Sequence, residues 1–316
     1  MTFKPLIPDK EFIELFPRLG PVGIAKKLGS TERGVLLRRQ RLEKRYNIVL
    51  KGPDNRYRSN MEEHPARIHH DLTDGVILVG SDSHYWPGII SAAHRAFVKL
   101  NRELKPAIVI KNGDELDFPG ISRHAPIGWE SRPSVISELE YAQERLAEVE
   151  DGNKNAAYYW PLGNHDARYE TRLATVAPEY ARVRGVHLKD HFPRWKPCWS
   201  VWVNDVVIKH RFKGGTHATR TNTLNAGRSM VTGHLHSLKV APLSDYNGTR
   251  WGVDCGTMAI PYSAPFVDYT EDSPVDWRSG FAVLTIHRGK LLWPELVHVI
   301  DEAKGEVCFR GKVIEV

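Results

Sequence analysis

Five short segments each bring metal-type side chains to the end of an apolar run. They are Asp82-Ser83-His84, Gly113-Asp114-Glu115-Leu116-Asp117, Gly163-Asn164-His165-Asp166, His210 and Gly233-His234-Leu235-His236. Asp, Asn and His together suit first-row dications such as manganese, iron or zinc better than an all-oxygen calcium site or a thiolate zinc site. Seven candidate ligands are too many for one ion and suit two ions that share a carboxylate. Two ions about 3.5–4 Å apart can hold a bridging hydroxide and clamp a phosphoryl group for in-line attack. A histidine beside them can protonate the leaving oxygen. Taken singly the motifs are weak, because an Asp-x-His pair is more often a turn and Gly-Asp is common. Their number and order carry the reading.

Positioning falls to the elements before each motif. The apolar runs 75–81, 107–112 and 156–162 are predicted strands, with helices over 88–104, 134–150 and 166–176 between or after them. Strand–helix alternation implies parallel βαβ units, which place sites at the carboxyl ends of their strands. Beyond residue 195 strands dominate: 199–210 reads as two strands around an Asn204-Asp205 turn, and SMVTGH, RWGVDCG, FAVLTIH and KVIEV supply more. The pairs Asp82/His84 and His234/His236 would project both side chains to one side of an extended segment. Each motif glycine would let the chain turn sharply beside the site.

The motifs DSH (82–84), GDELD (113–117), GNHD (163–166), a strand-end His210 and GHLH (233–236) stand in the order found in the calcineurin-like metallophosphoesterase superfamily, which residues 75–260 resemble. The resemblance implies an α/β sandwich of two mixed β-sheets flanked by helices. It also implies two divalent ions, Mn2+ first among them, with Fe, Zn or Ni as alternatives. Asp82, His84 and His236 would bind one ion, Asn164, His210 and His234 the other, and Asp114 would bridge. A hydroxide bridging the ions would attack phosphorus, His165 would be the general acid or stabilise the transition state, and Asp117 would orient its ring. Asp166 would be a structural carboxylate. His217 rivals His210, which is preferred because the preceding strand ends directly at it. Of the remaining histidines, His69-His70 falls in a linker, His94 in a helix, and His124 and His191 are candidates for substrate contact. The tryptophans read as core and rim packing.

The chain has 316 residues with 44 Lys+Arg against 38 Asp+Glu, a net +6. Residues 26–58 hold eleven basic and three acidic side chains, a local +8 that leaves −2 for the rest. Segments 9–18 and 22–29 and the basic run 31–46, separated at Gly20-Pro21 and Gly29, match a helix-turn-helix. Arg38 stands where that motif usually has an apolar residue. Arg33, Arg41 and Lys44 would share a polar face opposite Val35, Leu42 and Tyr46; with Arg45 they are the candidate nucleic-acid contacts. The expected organisation is a small all-α module (1–52), a polar linker (53–74) and a metallophosphoesterase domain (75–316). Residues 262–316 carry strands without a motif and would complete the sandwich or cap the cleft.

No apolar run approaches the roughly 18 residues that span a bilayer, and the start of the chain lacks a secretory stretch. The three scattered cysteines, Cys198, Cys255 and Cys308, fit a reducing interior, so a cytoplasmic location is expected. Protein phosphatases of the superfamily carry an arginine after GDxxD and GNHE in place of GNHD. Phe118 and Asp166 stand at those two places and argue against that class. The expected function is hydrolysis of phosphodiester bonds in DNA or another polynucleotide, with nucleic acid as partner. The alternatives are small nucleotides or phosphoproteins, with the basic module used for docking, and a DNA-binding protein with a vestigial metal site.

Overall fold

The computed structural model describes residues 7–53, 64–126, 128–181, 183–263, 266, 270 and 273–316. The chain divides into two units, Met1–Glu62 and Glu63–Val316. In the first, α1 (Asp9–Leu28) is broken at Gly20, whose φ of 62° and ψ of −176° are not helical. Gly29 closes α1 in the left-handed region, and the Thr31 side chain accepts the Gly34 N–H to cap α2 (Glu32–Tyr46). Phe12, Phe16, Ile24, Val35, Leu42 and Leu50 form the core of this unit. The first helix passes through Pro17 and breaks at Gly20, because Gly20 alone adopts the non-helical conformation there. Arg38 turns inward: its guanidinium donates to Ile7 O (2.6 Å) and Asp9 Oδ1 (2.9 Å) and lies over the Phe12 ring. Tyr46 does not join the apolar face. It is exposed, with its hydroxyl donating to Asp9 Oδ2.

The larger unit is a sandwich of two mixed sheets. One has β1 (Ile68–His70), β6 (Val201–Val203), β7 (Val206–Ile208), β8 (Ser229–Thr232), β10 (Gly248–Asp254) and β9 (Lys239–Asp245), in that spatial order. The other runs β15 (Lys312–Glu315), β14 (Glu306–Phe309), β13 (Glu295–Asp301), β11 (Gly280–His287), β2 (Gly75–Gly80), β3 (Ile108–Lys111), β4 (Ala157–Pro161) and β5 (Lys196–Cys198), with β12 (Lys290–Leu291) beside β11. Strands β2 to β5 are parallel, as the strand–helix alternation predicts. Ile77, Val79, Ile108 and Ile110 point into the space between the sheets, where Val201, Ile208, Val231 and Val253 meet them. The intervening Leu78 and Val109 face α3 (Ala92–Leu104) and α4 (Val135–Gly152) with Phe97 and Leu146. Both faces of this sheet are therefore apolar, each buried Val, Leu or Ile contributing about 1.5–3 kcal/mol.

Several boundaries differ from the sequence reading. The segment 64–74 is not all linker, since β1 pairs parallel with β6 and its first N–H donates to Ser200 O; residues 54–63, including Arg56 and Arg58, lie outside the described residues. Helix α3 begins at Ala92 rather than 88, because Ser91 caps it by accepting the His94 N–H. Strand β9 contains Pro242 and lies at a sheet edge, where a missing donor costs nothing. Helix α7 (Ala218–Ala226), ATRTNTLNA, which follows α5 (Asp166–Val176) and the short α6 (Leu188–His191), is built of polar, weak helix formers. Strands β11 to β15 extend the larger sheet, so the motif-free C-terminal region does complete the sandwich.

Candidate metal centre

The ligand loops leave the carboxyl ends of neighbouring strands. β2 runs into 81–84, β3 into 112–117 and β4 into 162–166, while in the facing sheet β7 leads to His210 and β8 to 233–236. The β2 and β3 loops continue side by side: Asp82 N–H donates to Gly113 O (2.8 Å), His84 N–H to Asp114 O (3.0 Å) and Tyr85 N–H to Glu115 O (2.8 Å). The loops are not extended, which corrects the expected reason for the Asp82/His84 and His234/His236 convergence. Asp82, His84, Asp114, His234 and His236 all have φ between 40° and 72°. Five left-handed non-glycine residues in one site store strain that the packed strands beneath must support.

Among the described residues three groups have their ligand atoms within 4.8 Å of one another: the candidate ligand clusters Asp82–His84–His236 and Asp114–His210–His234, and His84–Asp117–His165 beside them. Asp82, His84, Asp114, His210 and His236 are buried. Several polar atoms here are buried without a hydrogen-bond partner: His84 Nε2, His210 Nε2, His236 Nδ1 and Asn164 Oδ1. His210 Nε2 lies 3.1 Å from Asp114 Oδ2 yet is not aligned to bond it, so both atoms face the same space. Unpaired buried nitrogens and an amide oxygen beside carboxylates are costly unless a cation collects them. The donor set therefore fits divalent ions. His217, the rival to His210, is exposed at the start of α7, outside both clusters.

Surrounding hydrogen bonds fix the rings. His210 Nδ1 meets Asn112 O at 2.7 Å, which leaves Nε2 for the site. Asp117 lies 3.1 Å from His84 Nδ1 and 2.7 Å from His165 Nδ1, so it orients two rings rather than one. Asp166 accepts five N–H donors, from Asp114, Glu115, Leu116, Gly163 and the Trp160 indole, and thereby ties the β3 loop to the β4 loop. The Asp114 carboxylate in turn accepts His165 N–H, and that of Asp82 accepts His234 N–H, both at 2.8 Å. At Gly113 (φ 88°) a Cβ would stand 2.6 Å from His210 Nδ1. Gly163 needs no special turn; there a Cβ would strike Asp114 Oδ1, so close approach is the reason for glycine.

The electrostatics follow from this crowding. Burial alone would raise the Asp82 carboxyl, but His236 and His210 outweigh it and hold it at about 2. Asp114 is likewise drawn well below the carboxylate range, against burial, by His210, His165 and His84. Burial would lower His210, yet Asp114 and Asp82 push it up to about 10. His165, opposed by burial, is raised by Asp114 and Asp117. Such mutual charging is what closely spaced ligands do when no cation separates them.

The two clusters open on one cavity of about 430 Å³, which His84, Asp114, Asn164, His165, His234 and His236 line. Three of its features have no sequence motif. Arg168 donates to Asp117 O (2.7 Å) and brings its guanidinium to 3.3 Å from His165 Nε2. Phe266 and Trp277 pack against His236, and Phe266 also meets His84, which makes an aromatic wall from the C-terminal region. The i, i+3 spacing of His165 and Arg168 at the start of a predicted helix is the one available signal. His124 lines the cavity; His191 is instead engaged with Gly185 O, close to the Tyr169 hydroxyl.

The two mixed sheets flanked by helices are the architecture that the sequence motifs led one to expect. No family model matches the chain. It is similar to the gene 54 protein of Mycobacterium phage L5, with 26% identity over 252 residues, which cover 70% of this chain and 92% of that protein. Solved structures with a likeness include Vps29 of Entamoeba histolytica complexed with Zn2+, at 13% identity and a TM-score of 0.40, over 76% of this chain and 98% of that one. YfcE, a phosphoesterase from E. coli, is similar at 13% identity and a TM-score of 0.30, over 69% of this chain and 97% of that one. Among the described residues no helix is long and apolar enough to cross a membrane.

Proposed function

We propose that this chain is a dinuclear-metal-dependent phosphoesterase that hydrolyses phosphodiester bonds of DNA or another polynucleotide. The carrying observation is the pair of ligand clusters, buried except at His234, where nitrogens and an amide oxygen without hydrogen-bond partners stand beside carboxylates. When bound, the two ions, Mn2+ first among them, supply positive charge at the phosphoryl oxygens and acidify a water for attack. Asp82, His84 and His236 would hold one ion and Asn164, His210 and His234 the other, and Asp114 would serve both. Asp117 fixes His165 through Nδ1, so that Nε2 can present a proton to the leaving oxygen. Arg168, beside that nitrogen, is placed to bind a non-bridging phosphoryl oxygen.

The polynucleotide part of the proposal rests on charge. Arg33, Arg41 and Lys44 are exposed on α2 and make no carboxylate ion pair among the described residues, while Arg45 is shared with Asp9 at 3.3 Å. The decisive assay is turnover of bis-p-nitrophenyl phosphate with manganese, followed by a panel of single- and double-stranded DNA, RNA, cyclic nucleotides and phosphopeptide. Turnover of the diester and of a polynucleotide is expected. No turnover in protein shown to be metal-loaded would overturn the enzyme, and cleavage of only small nucleotides or phosphopeptide would replace the substrate class.

A further inference from the structure

Beside the metal cavity lies a second groove, of about 790 Å³. Its walls are the face of α5 (Asp166–Val176) that carries Arg168, Thr171, Arg172 and Thr175, and the segment Lys209–Phe212 after β7. Arg123 and Trp199 complete it. Five cations, Arg123, Arg168, Arg172, Lys209 and Arg211, share this one depression, and no acidic side chain lines it. None of the five is ion-paired with a carboxylate among the described residues, although the larger unit pairs many of its other surface cations. Like charges gathered without counter-charges repel, and a fold gains nothing from that arrangement unless an anion occupies it. Trp199 and Phe212, 45% and 46% exposed, line the same groove, with Lys209 and Lys213 Nζ about the Phe212 ring at 6.0 and 5.9 Å from its centroid. Asn164, Arg168 and His124 line both the groove and the metal cavity, so the two are continuous.

We propose that this groove is the track of a single-stranded polynucleotide segment that leads to the scissile phosphodiester, its phosphates on the five cations and its bases stacked on Trp199 and Phe212. Exposed ring faces can stack only on unpaired bases, which selects a single strand over a duplex. A mononucleotide would fill the metal cavity and leave the groove empty. This rests on the polynucleotide reading above and goes further, since it assigns binding to residues outside both the metal site and the N-terminal unit.

The test uses the full chain with chelator, so that binding is read without cleavage. A labelled single strand of about twelve nucleotides, within the usual range of single-strand sites, and the duplex of the same sequence serve as probes by fluorescence anisotropy. Trp199→Ala should weaken single-strand binding about tenfold, as lost base stacking does, and leave duplex binding unchanged. The double variant Arg123→Ala/Arg172→Ala should reduce the single-strand salt slope by about 1.4, or 0.7 for each lost phosphate contact. Both variants should turn over bis-p-nitrophenyl phosphate at the wild-type rate, because none of the three side chains lines the metal cavity. Unaltered affinity and slope in both variants, with wild-type cleavage of the oligonucleotide, would overturn the groove and leave the polynucleotide reading standing. A wild type that turns over the small diester yet neither binds nor cleaves the oligonucleotide would overturn both.

Discussion

On α2 of the N-terminal unit Arg33, Arg41 and Lys44 face water, while Arg38 and Arg45 share Asp9 and Arg39 lies over the Phe16 ring beside Glu43. The larger unit instead takes several of its charges out of water behind the ligand loops. Lys111 and Glu115 are both 0% exposed and lie 2.8 Å apart, with Lys111 Nζ also donating to Ser83 Oγ at 2.6 Å. Asp166 is buried under its five donors. Exposed cations act at a distance and are screened by salt, whereas buried charges act through geometry and are paired or costly. The outward cations on α2 can act on a charged partner only through solvent, whereas the buried charges behind the ligand loops act on them by contact.

Substitution at the metal centre tests that division most severely. Asp114→Asn removes the carboxylate of the Asp114–His210–His234 cluster, which the proposal has both ions share, and should abolish both metal content and turnover. His165→Asn should retain the metals, measured by elemental analysis, and lower turnover by about 10²–10⁴, as expected for a missing acid. Equal metal loss in both variants would break the separation of ligand from proton donor.

The buried pair behind the loops is next. Lys111→Met strands Glu115 in the interior and should cost about 3–5 kcal/mol in urea unfolding, whereas Lys111→Met/Glu115→Leu should recover most of that loss. If the double variant is as unstable as the single one, the pair supports the loops through more than charge compensation.

How much of this was legible in the sequence depended on the type of physics involved. Periodicity revealed β2, β3, β4, α4 and α5, because strands buried on both faces and amphipathic helices carry local signals. Their order placed all seven ligand candidates at strand ends; the structure gathers six of them into two clusters, and Asn164 lines the cavity beside them. The left-handed backbone of the ligands left no trace, since Asp and His occur in many turns. Nor did the Lys111–Glu115 pair, which reads as a polar residue in a strand and one in a loop. Arg38 looked like a departure from the helix-turn-helix pattern, and only the fold shows its aliphatic stem and guanidinium filling an apolar position over Phe12. Phe266 and Trp277 reach the site through tertiary structure alone.

A smaller effect separates buried acids from exposed cations by pH. Burial pushes Glu138 up to about 8, although its carboxylate accepts the Phe118 N–H. The folded state therefore binds this proton more tightly than the unfolded chain, whose value is 4.5. The resulting stability is complete below about 4.5 and is lost as pH rises through about 8. Glu138→Gln should remove that loss, so metal-free variant and wild type should diverge between pH 5 and 8 with the variant gaining relative stability. A difference constant across that range would show that Glu138 does not titrate as its burial requires.

The smallest expected effect belongs to the exposed face of α2. Replacing Arg33, Arg41 and Lys44 with alanine should leave the fold intact, since all three are exposed and none belongs to the core around Phe16 and Val35. It should also leave bis-p-nitrophenyl phosphate turnover unchanged. If these side chains meet duplex phosphates, the slope of log affinity against log salt should fall by up to about 2.7, at 0.9 for each contact. The loss should be similar for every duplex sequence, because phosphate contacts position a protein without reading bases. A loss confined to one sequence would instead place α2 in a groove as a reader, and an unchanged slope would remove the N-terminal unit from nucleic-acid binding. The outward cations would then serve solubility alone, and any polynucleotide affinity would belong to the cationic groove of the larger unit.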